Sequence, residues 1–219
     1  MKKILVIALL LVCHTVVMAQ EKINEGVITA KQTFTTDDEA IKAQLAMMGE
    51  VISTTYFKGT KSRVEISNPM SGDVTVITDS DNMENLTLMD SPMVGKKFMS
   101  QKIEVPKEML ENINVEEGSK TKTILGFECK EHIITMSQDG NTVRMIMYTT
   151  DKIIPVMSQQ TAQLGDKVTG FPMYMEATVN QGEAEMVMIT EVTEVKSEKV
   201  DDSKFSMTPP EGYTKMEGM

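Results

Sequence analysis

The sequence predicts a mainly β protein of the α+β class, and three observations lead to this fold class. From Val27 onward, short runs rich in Val, Ile, Thr and Tyr are separated by Gly, Asn, Asp and Pro, as in antiparallel sheets. The dipeptides Asp139-Gly140 and Gln181-Gly182 divide the longest runs and are typical of hairpin turns. Between Phe171 and Val179 apolar and polar residues alternate, which indicates a strand with one buried face.

Four hairpins and three helices are predicted along the chain. The hairpins join Val51–Phe57 to Ser62–Ser67, Val74–Thr78 to Leu86–Met89, Thr123–Met136 to Thr142–Thr150, and Phe171–Val179 to Glu183–Val195. The helices are predicted at 39–48, after the acidic start Asp37-Asp38, at 105–112, with Pro106 in its first turn, and at 155–164.

The N-terminus has the composition of a cleavable secretory signal peptide. Basic Lys2 and Lys3 precede an apolar run from Ile4 to Val12, and the small residue Ala19 lies at the expected cleavage site. The apolar run is too short for a transmembrane helix, so we predict no integral membrane span. Residues 1–19 are predicted to be removed, which leaves 20–219 as a single domain in the periplasm or the medium.

Charge and composition exclude several classes of function. Lys2 and Lys3 leave with the signal, which changes the formal net charge from −10 to −12 and argues against nucleic acid as a partner. Cys129 and His132 are the only cysteine and histidine of the mature chain, and tryptophan is absent. We therefore predict that the protein is not an enzyme and has no catalytic residues, no cofactor and no metal site. The sequence leaves the oligomeric state open.

Two local clusters favour structural roles. Asp79, Asp81, Asn82 and Glu84 crowd one predicted turn. The sequence does not have the glycine and the glutamate that a calcium-binding loop requires at fixed positions. Cys129 and His132 are three residues apart in a predicted strand, so their side chains are expected on opposite faces. We interpret the first cluster as a solvated turn, and Cys129 as a buried, reduced residue.

Methionine is the feature that stands out. Removal of Met1 and Met18 leaves 19 of 21 methionines in a mature chain of 200 residues. Three pairs, each separated by one residue, place two thioethers on one face of a predicted strand. With Phe171, they form the predicted ligand-binding set: Met145, Met147, Phe171, Met173, Met175, Met186 and Met188.

Three interpretations of this methionine-rich face remain open. It can be an ordinary core in which methionine replaces leucine. It can line a pliable cavity for an acyl chain or another apolar ligand, since unbranched thioether side chains adapt to irregular shapes. It can also capture Cu(I) through sulfur, although such sites usually include His or Cys.

The segment from Thr121 to Ile153, TKTILGFECKEHIITMSQDGNTVRMIMYTTDKI, resembles the central hairpin of a family of exported bacterial proteins, domain of unknown function 4412. The opening residues 25–29 and the closing segments 202–205 and 210–213 are similar to the same family. That family is in turn similar to the periplasmic lipoprotein carriers and their outer-membrane receptors. The resemblance implies a strongly curved antiparallel sheet, an unfinished barrel, with two or three helices covering its apolar side.

These observations together predict an exported, non-enzymatic binding protein whose ligand is apolar, such as a lipid or the acyl part of a lipoprotein. The alternative is an envelope structural or interaction protein with a filled core and no small-molecule ligand. An open apolar cleft would favour the first function, and a filled interior the second.

The first testable prediction concerns export. Expressed with residues 1–19 in a bacterial host, the protein is expected in the periplasm or medium with Gln20 as its first residue, because Ala19 completes the cleavage site. Intact-mass spectrometry of the purified protein measures this directly. A mass that retains residues 1–19, or that shows an acylated Cys13, would contradict the prediction.

Overall fold

One large β-sheet dominates the protein. The computed structural model describes residues 22–68, 72–104, 110–138, 141–154, 164–165, 167–181 and 184–216. The strands are β1 (Glu25–Thr36), β2 (Val51–Lys58), β3 (Lys61–Asn68), β4 (Gly72–Asp79), β5 (Glu84–Ser91), β6 (Gly95–Lys102), β7 (Ile113–Ile124), β8 (Phe127–Gln138), β9 (Asn141–Thr150), β10 (Phe171–Gln181), β11 (Ala184–Lys196) and β12 (Thr214–Lys215). One helix, α1 (Glu39–Met48), follows β1, and a 3-10 turn, Asp202–Phe205, follows β11.

The strands lie in the order β12-β6-β5-β4-β3-β2-β1-β11-β10-β9-β8-β7. All neighbours are antiparallel except β12 and β6, which are parallel. Strand β1 therefore joins two antiparallel halves, pairing with β2 on one side and with β11 on the other. Edge strands β7 and β12 do not pair with each other, so the described sheet is not closed into a barrel. The predicted mainly β, antiparallel fold class is confirmed.

The strand pairing of all four predicted hairpins is confirmed, but the first strand of one was predicted to begin too early. Strands β2 and β3, β4 and β5, β8 and β9, and β10 and β11 pair as expected. The predicted strand from Thr123 to Met136 is instead divided by a turn at Leu125 and Gly126, whose φ angles are 50° and 84°. Two residues with positive φ suit a tight hairpin, but leucine is not a typical turn residue, which is why the sequence did not reveal it.

The structure shows fewer helices than expected. Helix α1 is confirmed at its predicted position, and Asp38 caps it by accepting hydrogen bonds from the N–H groups of Ala40 (2.8 Å) and Ile41 (3.0 Å). The described residues contain this one complete α-helix in place of the two or three covering helices expected. The predicted helices at 105–112 and 155–164 fall mainly on 105–109 and 155–163, outside the described residues. No described helix is long and apolar enough to cross a membrane.

Three clusters of buried side chains form the interior of the described structure. The central core gathers residues of β1, β2, β7, β8, β10 and β11 and one residue that follows β9: Ile28, Phe57, Ile124, Phe127, Cys129, Ile153, Phe171, Met173 and Val192. The methionine core comprises Ile113, Ile134, Met147, Leu164 and Met175. The third core comprises Ile77, Leu86 and Leu88. Cys129 is fully buried and free, as expected of a reduced core residue.

The C-terminal segment after β11 covers one face of β3 to β6. Met207 and Tyr213 pack against the third core, and β12 extends the sheet beside β6. Polar contacts hold the 3-10 turn in place, because Lys58 Nζ lies 2.6 Å from Asp202 Oδ1 and Lys204 Nζ lies 4.0 Å from the centre of the Tyr56 ring. On this face of the sheet, the chain itself therefore covers the third core.

A buried carboxylate anchors the irregular middle of β7. The pairing of β7 with β8 shifts between Glu117 and Thr121. At this shift the buried Glu131 accepts a hydrogen bond from the Tyr148 hydroxyl (3.0 Å). Burial raises the pKa of Tyr148, and this hydrogen bond raises it further. A Cβ atom on Gly118 would lie 2.6 Å from the Glu131 Cγ. Glycine at 118 therefore leaves the space in which Glu131 lies.

This close approach yields the second testable prediction. Gly118→Ala is expected to lower the free energy of unfolding by roughly 1 to 3 kcal/mol, because the new methyl group overlaps a buried side chain. Urea denaturation measures the change. In a Glu131→Ala background the same substitution should cost little, since the overlapping atoms are gone. An equal cost in both backgrounds would show that the contact with Glu131 is not the cause.

Candidate functional site

The predicted methionine-rich face is continuous across the sheet. Cross-strand partners share a face, so the strand register defines rows of side chains. The first row runs Val115, Ile134, Met145, Ala177, Met188 and Phe34 across β7, β8, β9, β10, β11 and β1. The second runs His132, Met147, Met175, Thr190 and Gln32 across β8 to β11 and β1. We call the face that bears these two rows the methionine face.

The structure brings together four of the seven predicted ligand-binding residues. Met147 and Met175 belong to the methionine core, and Met145 and Met188 pack against it. Phe171 and Met173 lie instead in the central core, close to the point between Pro172 and Tyr174 where the pairing of β10 with β9 shifts. Met186 is half-buried beyond Met188 on β11, opposite Thr36 and Val179.

Burial divides these residues into two groups. Met147, Met173 and Met175 are 1%, 0% and 5% exposed, and Leu164 and Val168 pack into the methionine core beside two of them. Met145, Met186 and Met188 are half-buried. The first group belongs to the packed interior, while the second group is partly exposed.

The methionine face continues beyond β1 in residues that the sequence analysis did not select. Gln32 pairs with Val51, and two further rows follow on β2 to β5: Thr55, Val64, Val76 and Thr87, and Ser53, Ile66, Val74 and Met89. All eight side chains are half-buried. Val64 and Ile66, and likewise Val74 and Val76, are apolar residues at every second position. This pattern was visible in the sequence, but it predicted only that these segments are strands.

A cleft lies between α1 and the last residues of β1. Its volume is about 320 Å³, at the lower end for small-molecule sites. Phe34, Leu45 and Ala46 supply its apolar lining, and Lys42 and Glu50 contribute charged groups. Since Phe34 is the cross-strand partner of Met188, the cleft adjoins the half-buried methionines.

Polar side chains also lie on this face, and His132 and Thr149 are two of them. His132 Nε2 lies 3.0 Å from Thr149 Oγ1, and Thr149 donates its hydroxyl hydrogen to the Thr169 carbonyl (2.8 Å). The imidazole Nε2–H is therefore the donor in the first contact. Burial lowers the pKa of His132, partly opposed by the nearby Glu117, so the ring is held neutral. Thr149 therefore fastens the segment before β10 to β9, and His132 on β8 donates to that threonine.

The other sequence clusters have structural roles here. Asp79 Oδ1 accepts hydrogen bonds from the backbone N–H groups of Asp81 (3.1 Å) and Asn82 (3.2 Å), and thereby shapes the turn between β4 and β5. Burial alone would raise the pKa of Asp79, but hydrogen bonds from Asn82 and Asp81 outweigh it and hold the pKa below its usual value. The Asp79 carboxylate therefore has a structural role in this turn. Cys129 and His132 contact different neighbours, since Cys129 packs in the central core and His132 pairs with Met147.

Comparisons with known proteins define no family for this chain. No protein-family model matches the sequence, and no curated protein matches it, so the resemblance to domain of unknown function 4412 stays a prediction. A solved structure of PNGF-II in the C2 space group is similar at 16% identity and a TM-score of 0.47, over 88% of this chain and 31% of that one. The crystal structure of the Mycobacterium tuberculosis lipoprotein LppX is similar at 8% identity and a TM-score of 0.32, over 80% and 90% of the two chains. Both TM-scores are low, so neither match establishes a shared fold.

The contrast between buried and half-buried methionines gives the third testable prediction. Met175→Phe is expected to lower the free energy of unfolding by roughly 1 to 3 kcal/mol, because the larger ring must enter a packed cluster. Met186→Phe, the matched control on β11, should change it by less because that side chain keeps contact with solvent. Chemical denaturation of both variants measures the difference. Unchanged stability in Met175→Phe would instead reveal unfilled space beside Met175.

Proposed function

We propose that this chain is an exported, non-enzymatic binding protein that holds an apolar ligand, a lipid or the acyl chain of a lipoprotein, on its methionine face. The observation that carries the proposal is the contrast between the two faces of the sheet. The C-terminal segment covers the third core, whereas the rows of β2 to β5 on the methionine face remain half-exposed. Contiguous apolar surface that the chain leaves partly open is typical of interaction sites.

The residue types on this surface suit an acyl chain. Val64, Val76 and Ile66 offer branched apolar contacts, and Met186 and Met188 add flexible thioethers that adapt to chains of different shape. The cleft beside α1 extends the surface with Phe34 and Leu45. Apolar surface removed from water on binding contributes about 25 cal/mol per Å², so a bound chain gains most from the long rows.

The proposal includes two further properties: the protein is exported, and it is not an enzyme. The predicted signal peptide supports a periplasmic or secreted location, and the resemblance to domain of unknown function 4412 supports membership of a family of exported proteins. The buried Cys129 and the hydrogen-bonded His132 are unsuited to nucleophilic chemistry. The strongly acidic composition supports a partner other than nucleic acid.

A second candidate function rests on the other group of methionines. Met147, Met173 and Met175 are buried, and Leu164 packs against two of them. If the remaining apolar surface is covered by a protein partner, the chain is an envelope structural or interaction protein with a filled core. The two functions differ in whether the isolated protein takes up lipid.

The fourth testable prediction separates them. The wild-type chain is expected to bind a fluorescent fatty acid, and the double variant Val64→Thr/Val76→Thr to bind it roughly tenfold more weakly, because each hydroxyl must be desolvated against the acyl chain. The matched control Val94→Thr alters an exposed turn residue, 52% accessible, and should leave binding unchanged. Fluorescence titration gives the dissociation constants, and native mass spectrometry of protein from its own envelope identifies the natural ligand. A folded wild-type chain that takes up no such probe would rule out the lipid-binding proposal.

A further inference from the structure

Two polar side chains lie side by side within the apolar methionine face. Gln32 on β1 and Thr190 on β11 are direct cross-strand partners. Their neighbours on the same face, by register and by alternation, are apolar: Ala30, Phe34, Val51, Met175, Met188 and Val192. A polar pair inside such a surface loses contact with water and needs hydrogen-bond partners.

The described protein supplies these partners poorly. The Thr190 hydroxyl oxygen is buried and has no hydrogen-bond partner in the described structure. Gln32 Nε2 donates to the thioether sulfur of Met188, at 2.7 Å, and a thioether is a weak acceptor. The contrast with Thr149 on the same face is clear, because its hydroxyl donates to a backbone carbonyl oxygen. Buried polar groups in proteins are normally satisfied, so unmet donors at one place call for a reason.

We propose that Gln32 and Thr190 together bind the carbonyl oxygen of a ligand's acyl group, as an ester or an amide. This inference rests on the proposed function and specifies the ligand further. The Gln32 amide and the Thr190 hydroxyl each donate one hydrogen bond to the carbonyl oxygen, and the hydrocarbon chain follows the apolar rows on either side. Met188 turns aside to release the amide of Gln32, which its unbranched side chain allows.

The surroundings select a neutral acceptor. The neighbours of the pair carry no charge, so a carboxylate or phosphate at this position would lie among apolar side chains without a cation beside it. A carbonyl oxygen accepts two hydrogen bonds and carries no net charge. The pair therefore distinguishes acyl esters and amides from alkyl ethers of the same length.

The experiment compares two ligands that differ only in that oxygen. Monolauroylglycerol carries an ester carbonyl, and dodecylglycerol ether has the same head group and a matching chain without the carbonyl. Competition against a fluorescent fatty acid gives both dissociation constants for the full chain. We expect the wild type to bind the ester roughly tenfold more tightly than the ether, because only the ester offers a carbonyl oxygen to the donors of Gln32 and Thr190.

Variants assign this preference to the pair. Thr190→Val and Gln32→Leu should each reduce the ester-to-ether ratio towards one while binding of the ether is kept. Thr178→Val on β10, a half-buried residue of the opposite face, is the matched control and should keep the full ratio. Thr190→Val should also melt no lower than the wild type, because the hydroxyl that it removes is unpaired.

Three results would overturn the inference. If the wild type binds ester and ether equally, or if the ratio is unchanged in both variants, the pair does not recognise the carbonyl oxygen. The proposed lipid binding itself would remain supported by either result. A clearly lowered melting temperature in Thr190→Val would show that the hydroxyl is already satisfied within the protein. Failure of the wild type to bind either ligand would remove the proposed function and this inference together.

Discussion

The pairing of β1 with β11 is the constraint on which the rest of the structure depends. It joins the half of the sheet that contains β2 to β6 to the half that contains β7 to β10. Gly26 allows the strands to approach here, because a Cβ atom would overlap the Lys196 carbonyl oxygen and press on the Phe57 ring. The only cysteine of the described chain, Cys129, is free, so hydrogen bonds and packing hold this junction without a disulfide. Every row of the methionine face that crosses from β11 to β1 requires it.

Methionine serves two purposes on this framework. Where Leu164 and Val168 close over the sheet, Met147 and Met175 fill the interior as leucine would elsewhere. Where no described segment closes over it, the same residue type remains half-buried, as at Met186. An unbranched side chain fills irregular space in the first setting and rearranges at low cost in the second. The residue type is the same in both places. Whether a methionine fills the interior or stays partly exposed depends on whether another segment of the chain covers it.

Local patterns predicted the central elements well. The alternation in Phe171–Val179 and the capping residue Asp38 identified β10 and the start of α1, because both signals depend on residues close in sequence. Strands β6 and β7 were missed because many of their residues are polar and exposed, so that apolar and polar residues do not alternate clearly. The division of Met173 and Met175 between two cores was also missed, since it depends on which distant side chains pack against each of them.

The sequence by itself determined the antiparallel β class and the apolar side of clearly alternating strands such as β10, because side-chain alternation is a property of the chain alone. Only the tertiary structure decided which apolar sides join into one face, which methionines Leu164 buries and where the cleft beside α1 lies. It also decided that Gln32 and Thr190, 158 positions apart in the chain, become neighbours, and that the Thr190 hydroxyl has no hydrogen-bond partner in the described structure. The physical reason is that strand register is set by long-range hydrogen bonding and packing across the whole sheet, which no short stretch of sequence encodes.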